Sequence, residues 1–195
     1  MKRHLIGLAL LVLASTSFLA GCAPTIIAGS AAGASLAVDR RSTGAIVDDR
    51  TTEFKALQKL ADQPFYDKSH VSAICYNGRV LLVGQVPTSQ DAQTLVTEIQ
   101  QIPKVRQVLN ELEIGPAISF GTRSNDTLIT SKVKSALLTE KDLNSYAIKV
   151  VTENGVVFLI GIVTHEEANK ATEAARKVGG VKKVTRVFEY TNPTQ

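Results

Sequence analysis

Residues 71–84 read VSAICYNGRVLLVG, and residues 148–161 read IKVVTENGVVFLIG. In each stretch apolar residues occupy alternate positions before an Asn-Gly pair, and a nearly continuous apolar run follows it. Asn-Gly is the strongest short signal for a β-hairpin, because both central residues of a type I′ turn need a positive φ. The continuous run is typical of a strand that is covered on both faces. Each stretch therefore predicts a hairpin whose second strand is buried.

The two hairpins belong to a longer repeat. Asp49 and Leu60 recur 77 positions later as Asp126 and Leu137, and beyond an extra residue in the first copy, close to Pro87, the offset becomes 76. Solenoid repeats are shorter, at about 20–50 residues, and their units do not fold singly. The longer period predicts two small duplicated domains in tandem.

Each copy predicts the element order αββαβ. In the second copy, apolar residues at i, i+4, i+7 and i+8 indicate an amphipathic helix ahead of the hairpin: Ile129, Val133, Ala136 and Leu137. Residues 124–126, Ser-Asn-Asp, offer N-cap oxygens just before it. A second helix is predicted at about residues 89–101 and 165–178, and a strand ends each copy. The predicted fold class is α+β, with two helices covering a three-stranded sheet in each domain.

The first residues have the pattern of a secretory leader. Lys2 and Arg3 precede an apolar stretch at residues 5–13, which is too short to span a bilayer as a helix. Residues 19–22, Leu-Ala-Gly-Cys, resemble the bacterial lipobox, which implies cleavage before Cys22 and acylation of that residue. The alternative is an ordinary secreted protein in which this cysteine occurs by chance.

The segment after Cys22 is dominated by Ala, Gly, Ser and Thr and predicts a flexible tether. The pair Ile26-Ile27 and the alanines leave a partly helical tether open. The predicted boundaries are a leader at 1–21, a lipidated cysteine with its tether at 22–47, domains at 48–115 and 124–191, a linker at 116–123 and a tail at 192–195.

The charge balance argues against nucleic-acid binding. The chain has 22 Lys+Arg and 18 Asp+Glu, and loss of Lys2 and Arg3 with the leader leaves a net charge of only +2. Residues 48–114 hold seven Lys+Arg against nine Asp+Glu, a balance of −2, whereas residues 124–190 hold ten against eight, a balance of +2. The second copy is therefore the better candidate for an anionic surface, and the first for a structural role or a protein contact.

No catalytic or metal-binding pattern is visible in the sequence. The histidines are His4, His70 and His165, and with Cys22 acylated Cys75 is the single free thiol. Their spacing matches no metal site, and no Gly-rich loop opens a helix in the phosphate-binding pattern. The sequence predicts a protein without enzymatic activity, cofactor or metal, and with Cys75 in a core.

Together, the Asn-Gly turns, the apolar strands that end in Gly84 or Gly161 and the Ala-containing second helices resemble BON domains. A lipobox, a tether and two such domains resemble the DolP family of outer-membrane lipoproteins, and the match covers essentially the whole mature chain. The resemblance implies a lipid anchor on the periplasmic face of the outer membrane and a role in envelope integrity. Ala23 is consistent with this location, because an aspartate after the cysteine resembles the inner-membrane retention signal.

The first helix of the second copy is the candidate binding surface. Leu128 lies about 100° from the core-facing stripe, near Lys132, and we expect a helix N-terminus with free amides beside it. The family resemblance implies that this helix contacts anionic phospholipid such as phosphatidylglycerol, although relatives often carry Trp at the place of Leu128. The candidate residues are Phe120, Gly121, Leu128, Ser131, Lys132, Val133, Lys134 and Ser135.

Two alternatives remain at this point. Lys132 and Lys134 are also compatible with a solvated helix face, with Leu128 packed against the first domain. In the first copy Thr51 and Lys55 take the places of Leu128 and Lys132, which predicts no exposed apolar tip there. The rival function is an adaptor whose acidic first domain docks onto envelope-assembly or cell-wall-remodelling proteins.

Overall fold

The computed structural model describes residues 39–192, and the leader, Cys22 and the tether up to residue 38 lie outside this range. Two modules follow one another. The elements of module one are α1 (Thr43–Ala61), β1 (His70–Tyr76), β2 (Arg79–Val86), α2 (Ser89–Gln100) and β3 (Gln107–Ile114). The elements of module two are α3 (Phe120–Thr139), β4 (Ile148–Glu153), β5 (Val156–Val163), α4 (His165–Arg176) and β6 (Lys183–Tyr190). The predicted order αββαβ is confirmed in both, with a short 3₁₀ turn before β1 and before β4.

The hairpin turns have the backbone that the Asn-Gly pairs predict. The φ angles are 51° at Asn77 and 73° at Gly78, and 50° at Asn154 and 77° at Gly155. In each sheet the second strand is central: it pairs antiparallel with the first and parallel with the third. The parallel pairing requires the crossover through α2 or α4, because parallel neighbours cannot be joined by a tight turn.

A buried aspartate connects the first helix of each module to its hairpin turn. The Asp49 carboxylate accepts hydrogen bonds from the backbone amides of Asn77 and Gly78, at 2.7 and 2.8 Å. Asp126 accepts the equivalent bonds from Asn154 and Gly155, both at 2.8 Å. The repeat of this aspartate therefore has a structural reason, which is to satisfy the amides of a turn that points toward the helix.

Three apolar cores hold the fold together, all within the described residues. One lies between the helices and the sheet of module one, and a second lies in the same place in module two. The third lies between the two sheets and includes Tyr76, Leu81, Phe158 and Val187. The molecule therefore has four layers, helix–sheet–sheet–helix. This explains the continuous apolar runs of β2 and β5, whose two faces are both covered.

Polar contacts across the sheet interface follow the internal repeat. The Asn77 side-chain amide donates to Glu189 at 2.9 Å, and Asn154, its counterpart in module two, donates to Glu113 at 3.3 Å. The two modules thus contact each other through equivalent pairs, as in an isologous dimer built from one chain.

The boundaries of both first helices differ from the sequence prediction. Helix α3 begins at Phe120 with Ser119 as its N-cap, so residues 124–126 are not the cap and residues 120–123 are not linker. Asp126 lies inside the helix, facing the turn. Helix α1 begins at Thr43, within the predicted tether.

The last residues of the predicted tether are packed onto both modules. The Arg40 guanidinium donates two hydrogen bonds of 2.8 Å to Glu167 of α4, and Arg41 pairs with Asp49 of α1 at 2.8 Å. Arg41 also lies 3.8 Å above the ring of Tyr76. Residues 39–47 of the predicted tether are therefore part of the folded region.

Candidate functional site

Helix α3 presents a partly apolar outer face. The exposed fractions are 77% for Phe120 and 59% for both Leu128 and Leu138. Phe120 and Leu138 lie 18 residues apart, which is five full turns, so they share one line on the helix, about 27 Å long. Leu128 lies between them along the axis and about 80° around it. These three side chains are large apolar groups without a cover among the described residues.

Most of the predicted site residues lie on this same face. The remaining exposed candidates are Gly121, Ser131, Lys132, Lys134 and Ser135. Val133 is an exception, since it is fully buried in the core of module two. It lies four residues after Ile129, on the core-facing stripe, so its inclusion among the contact residues was wrong. Because Leu128 is exposed, the alternative that it packs against module one was also wrong.

The charge of the face is positive. Within residues 39–192, Arg123, Lys132 and Lys134 make no ion pair with a described carboxylate. The one acidic residue of α3, Asp126, is buried and bound to the hairpin turn. Lys132 and Lys134, which have no ion-paired carboxylate, suit an anionic surface, whereas Arg123 lies about 180° around the helix from Lys132, on the side of Glu153.

The sequence predicted that the N-terminus of α3 lies beside Leu128. In the structure it does not. The first turn of α3 starts at Phe120, and Leu128 lies about 12 Å further along the axis. The positive potential near Leu128 therefore comes from lysine side chains and not from free backbone amides, whose effect is confined to the first turn.

Two exposed residues at the end of α3 were not predicted from the sequence. Leu138 and Tyr146, which is 68% exposed, line an apolar notch of about 260 Å³ at the end of α3, together with Ile148 and Lys134. The 18-residue spacing from Phe120 gave a usable signal for Leu138. Tyr146 lies in a 3₁₀ turn outside the periodic segments, and no pattern in the sequence pointed to it.

Module one also has an exposed apolar helix face, contrary to expectation. Val47, Phe54 and Leu57 of α1 are all exposed, Phe54 at 62%. Their spacing of seven and three residues places them along one side of the helix. The comparison of Thr51 with Leu128 was correct for that single position, but neighbouring positions supply the apolar groups.

The described residues contain no cluster of three His, Cys, Asp or Glu side chains able to hold a metal ion. Cys75 is buried in the core of module one, as predicted. Desolvation, together with the hydrogen bond of its thiol to Asp49, raises the pKa of Cys75 to about 12, so this thiol is not a nucleophile at neutral pH. No helix among residues 39–192 has the length and apolar character to cross a membrane.

Glu153 is a buried carboxyl of module two that contacts Gln85 and His70 of module one. Its Oε1 accepts a hydrogen bond from Gln85 at 3.0 Å, and its Oε2 lies 3.7 Å from His70 Nε2. Desolvation raises the pKa of Glu153 to about 6, an effect that the Gln85 bond and the charge of Arg123 oppose and that Asp126 reinforces.

The raised pKa of Glu153 predicts how the stability of the Glu153→Gln variant, relative to the wild type, depends on pH. A carboxyl whose pKa is raised on folding stabilises the protein below its unfolded pKa, and this contribution is lost as the pH rises through the folded value. We expect the variant to match the wild type below about pH 4.5 and to be more stable by about 1–2 kcal/mol above about pH 7. Urea unfolding at both pH values measures this, and a difference independent of pH would contradict it.

Comparison with known proteins supports the assignment of two modules. The family model of the BON domain matches residues 48–116 and 125–192. The chain is 43% identical to the outer membrane lipoprotein DolP of Haemophilus influenzae, over 92% of this chain and 94% of that protein. It is 38% identical to a 21 kDa hemolysin of Actinobacillus pleuropneumoniae, over 78% and 79% of the two chains. It is 28% identical to the osmotically-inducible protein Y of Escherichia coli, over 72% of each.

The two matched segments coincide with the two αββαβ modules, and the similarity to DolP extends over nearly the whole of both chains. The chain therefore belongs to the BON-domain family, among its outer-membrane lipoproteins with two BON domains.

Proposed function

We propose that this protein is anchored by acylation of Cys22 on the periplasmic face of the outer membrane and binds anionic phospholipid, such as phosphatidylglycerol, through α3. Binding would help to maintain the integrity of the envelope, and the protein would act by contact and not by catalysis. The observation that carries the proposal is the outer face of α3, where exposed Leu128 and Phe120 lie among cations that have no acidic partner in the described residues.

The expected affinity of such a surface is modest. Each Lys or Arg near an anionic membrane contributes about 1 kcal/mol. Burial of a Leu or Phe side chain contributes about 1.5–3 kcal/mol when it is complete, and these residues would be buried only in part. The sum is enough for a tethered surface, because an acyl anchor converts binding into an intramolecular step at high effective concentration.

The contacts of Arg40 and Arg41 shorten the predicted tether. The chain between Cys22 and Asp39 then has 16 residues, and a flexible segment of that length spans roughly 20–25 Å on average. A tether of that length would hold the modules within one molecular diameter of the membrane, where a weak site is effective.

Vesicle sedimentation tests the proposal. The chain from Ala23 onward, without its acyl group, keeps all three cores and is mixed with neutral vesicles or with vesicles containing phosphatidylglycerol. We expect binding to the anionic vesicles only, and a loss of at least about tenfold for Leu128→Glu, because a charge replaces an inserted apolar group. The matched control is Leu57→Glu on α1, which is expected to bind like the wild type.

Two results would contradict the proposal. One is equal binding of the wild-type chain to neutral and anionic vesicles, and the other is an equal effect of Leu57→Glu and Leu128→Glu. The second result would show a general response to added negative charge and not a site on α3.

The adaptor function stays as the second candidate, and one observation favours it. The face of α1 with Val47, Phe54 and Leu57 is apolar and has no cover among the described residues. Such a face suits the apolar side of a partner helix. Photo-crosslinking in cells from a reactive residue at position 54 tests it: one stoichiometric protein partner supports the adaptor, and labelling of lipid or of nothing argues against it.

A further inference from the structure

A cleft of about 460 Å³ lies along one flank of α3, and both modules contribute to its walls. Helix α3 supplies one side, β4 supplies Thr152 and Glu153, and β1 of module one supplies His70 and Ser72. The cleft flank of α3 adjoins the apolar line of Phe120 and Leu138, because residues 127 and 134 lie within about 40° of that line around the helix.

Arg123 lines this cleft and differs from the other arginines. The structure describes eight arginines, and each of the others has a hydrogen bond or ion pair with a described residue. The Arg123 side chain has neither within residues 39–192, and makes only a distant ring contact with Phe120, at 6.0 Å. A guanidinium at the wall of a cleft, with all its donors available, is suited to bidentate binding of phosphate oxygens.

Hydroxyl groups continue the cleft beyond Arg123. Thr130 Oγ1 donates a hydrogen bond of 2.7 Å to Thr152 Oγ1, so the Thr152 hydroxyl keeps its own proton for another acceptor. Ser72 contributes a further hydroxyl from the opposite module. These donors supplement the guanidinium around a phosphodiester, which offers acceptors only.

Glu153 and His70 mark the inner end of the cleft and offer different chemistry. Glu153 Oε2 lies 3.7 Å from His70 Nε2 and keeps lone pairs for a hydroxyl donor. The positive charge of Arg123 acts on this end as well: desolvation and then Arg123 lower the pKa of His70, and Arg123 opposes part of the desolvation that raises the pKa of Glu153. Alcohol groups suit the inner end, because the Glu153 carboxyl can accept hydrogen bonds from their hydroxyls.

We propose that this cleft binds the phosphoglycerol headgroup of the phospholipid, with the phosphate on Arg123 and Thr152 and the glycerol hydroxyls toward Glu153 and His70. The acyl chains then leave the cleft beside Phe120 and Leu138. This inference rests on the proposed lipid binding and adds the headgroup site and its preference. The same chemistry is present in free glycerophosphoglycerol, so the lipid and the soluble compound are separate arms of the test.

The first arm is an NMR titration of the chain from Ala23 onward with glycerophosphoglycerol. We expect shifts of the backbone amides of Ser72 and Thr152, one from each module, and at least a fivefold weaker response in Arg123→Gln. Inorganic phosphate, which has no diol, and glycerophosphoethanolamine, which carries an ammonium group in place of the headgroup glycerol, are expected to bind more weakly. Equal shifts with all three compounds would overturn the assigned preference.

The second arm is vesicle binding of the same variants. Arg123→Gln and Thr152→Val are each expected to weaken binding to phosphatidylglycerol vesicles about fivefold. Arg176→Gln, which removes an exposed arginine of α4, is expected to have no effect. An unchanged thermal midpoint confirms that each variant is folded.

The outcomes separate the two proposals. If the wild-type chain does not bind phosphatidylglycerol vesicles, the function proposed for α3 fails. If the wild type binds but both cleft variants bind equally well and no amide of module one shifts, lipid binding by α3 stands and the headgroup site is wrong.

Discussion

Replacing Asp49 with alanine is expected to lower the free energy of unfolding by about 3–5 kcal/mol, the range for removal of one member of a buried ion pair. Asp49 is buried in α1, accepts from the amides of Asn77 and Gly78, and pairs with the largely buried Arg41. The alanine variant leaves two turn amides and a guanidinium without their acceptor, and buried donors without partners are costly. Chemical denaturation of the chain from Ala23 onward measures the loss.

The neighbouring aspartate is a matched control. Asp48 pairs with Lys104 at 2.6 Å, but both side chains are exposed, and such pairs contribute about 0–1 kcal/mol. We therefore expect Asp48→Ala to change stability by less than about 1 kcal/mol. Similar losses for the two alanine variants would contradict the role assigned to Asp49.

The pH dependence gives an independent check. Desolvation alone would raise the pKa of Asp49, but hydrogen bonds from Gly78, Asn77, Cys75 and Arg41 outweigh it and lower the pKa. A carboxyl with a lowered pKa stabilises the fold above its unfolded value, and this contribution is lost as the pH falls through the folded value. The difference between wild type and Asp49→Asn should therefore be largest near about pH 7 and shrink in acid, below about pH 4.

The element order was predictable from the sequence because it depends on local signals. The Asn-Gly pairs, the helical spacing before β4 and the 77-residue repeat each act within or between short segments. The role of Asp49 and Asp126 could not be read in this way. Ser124, Asn125 and Asp126 have the composition of an N-cap, and only the fold brings a helix side chain to a turn 28 residues away.

Part of the candidate site was also predictable from local helical spacing. Helical spacing separates Leu128 from the core stripe, and the exposure of Lys132 follows from the same geometry. The exposure of Tyr146 and Phe54 was not predictable, because a helix pattern does not show which apolar residues the rest of the fold leaves uncovered. The cleft beside Arg123 needed both modules, since its walls come from segments about 50 residues apart.

Arg40 and Arg41 contact different modules. Arg40 binds module two through Glu167, and Arg41 binds module one through Asp49, so the segment at residues 40–41 is fixed to both modules.

Gly84→Ala is expected to destabilise the chain by about 3–5 kcal/mol, as much as any single change discussed above. A Cβ at Gly84 would lie 1.9 Å from the carbonyl oxygen of His70 and 3.0 Å from Cα of Val71. Both atoms belong to the β1 backbone, so no change of rotamer relieves the overlap. The φ of +123° at Gly84 adds strain for any side chain.

The equivalent glycine of module two and a glycine of α3 provide comparisons for this prediction. Gly161 is the equivalent position in module two, where the added Cβ would lie 2.3 Å from the carbonyl oxygen of Ala147. We expect Gly161→Ala to cost less than Gly84→Ala, because its clash is milder. Gly121→Ala, in the first turn of α3 with its nearest neighbour at 3.7 Å, is expected to be neutral or to stabilise by about 0.5–1 kcal/mol. Equal losses for the three variants in chemical denaturation would show that the close approach of the backbone is not what requires glycine at Gly84.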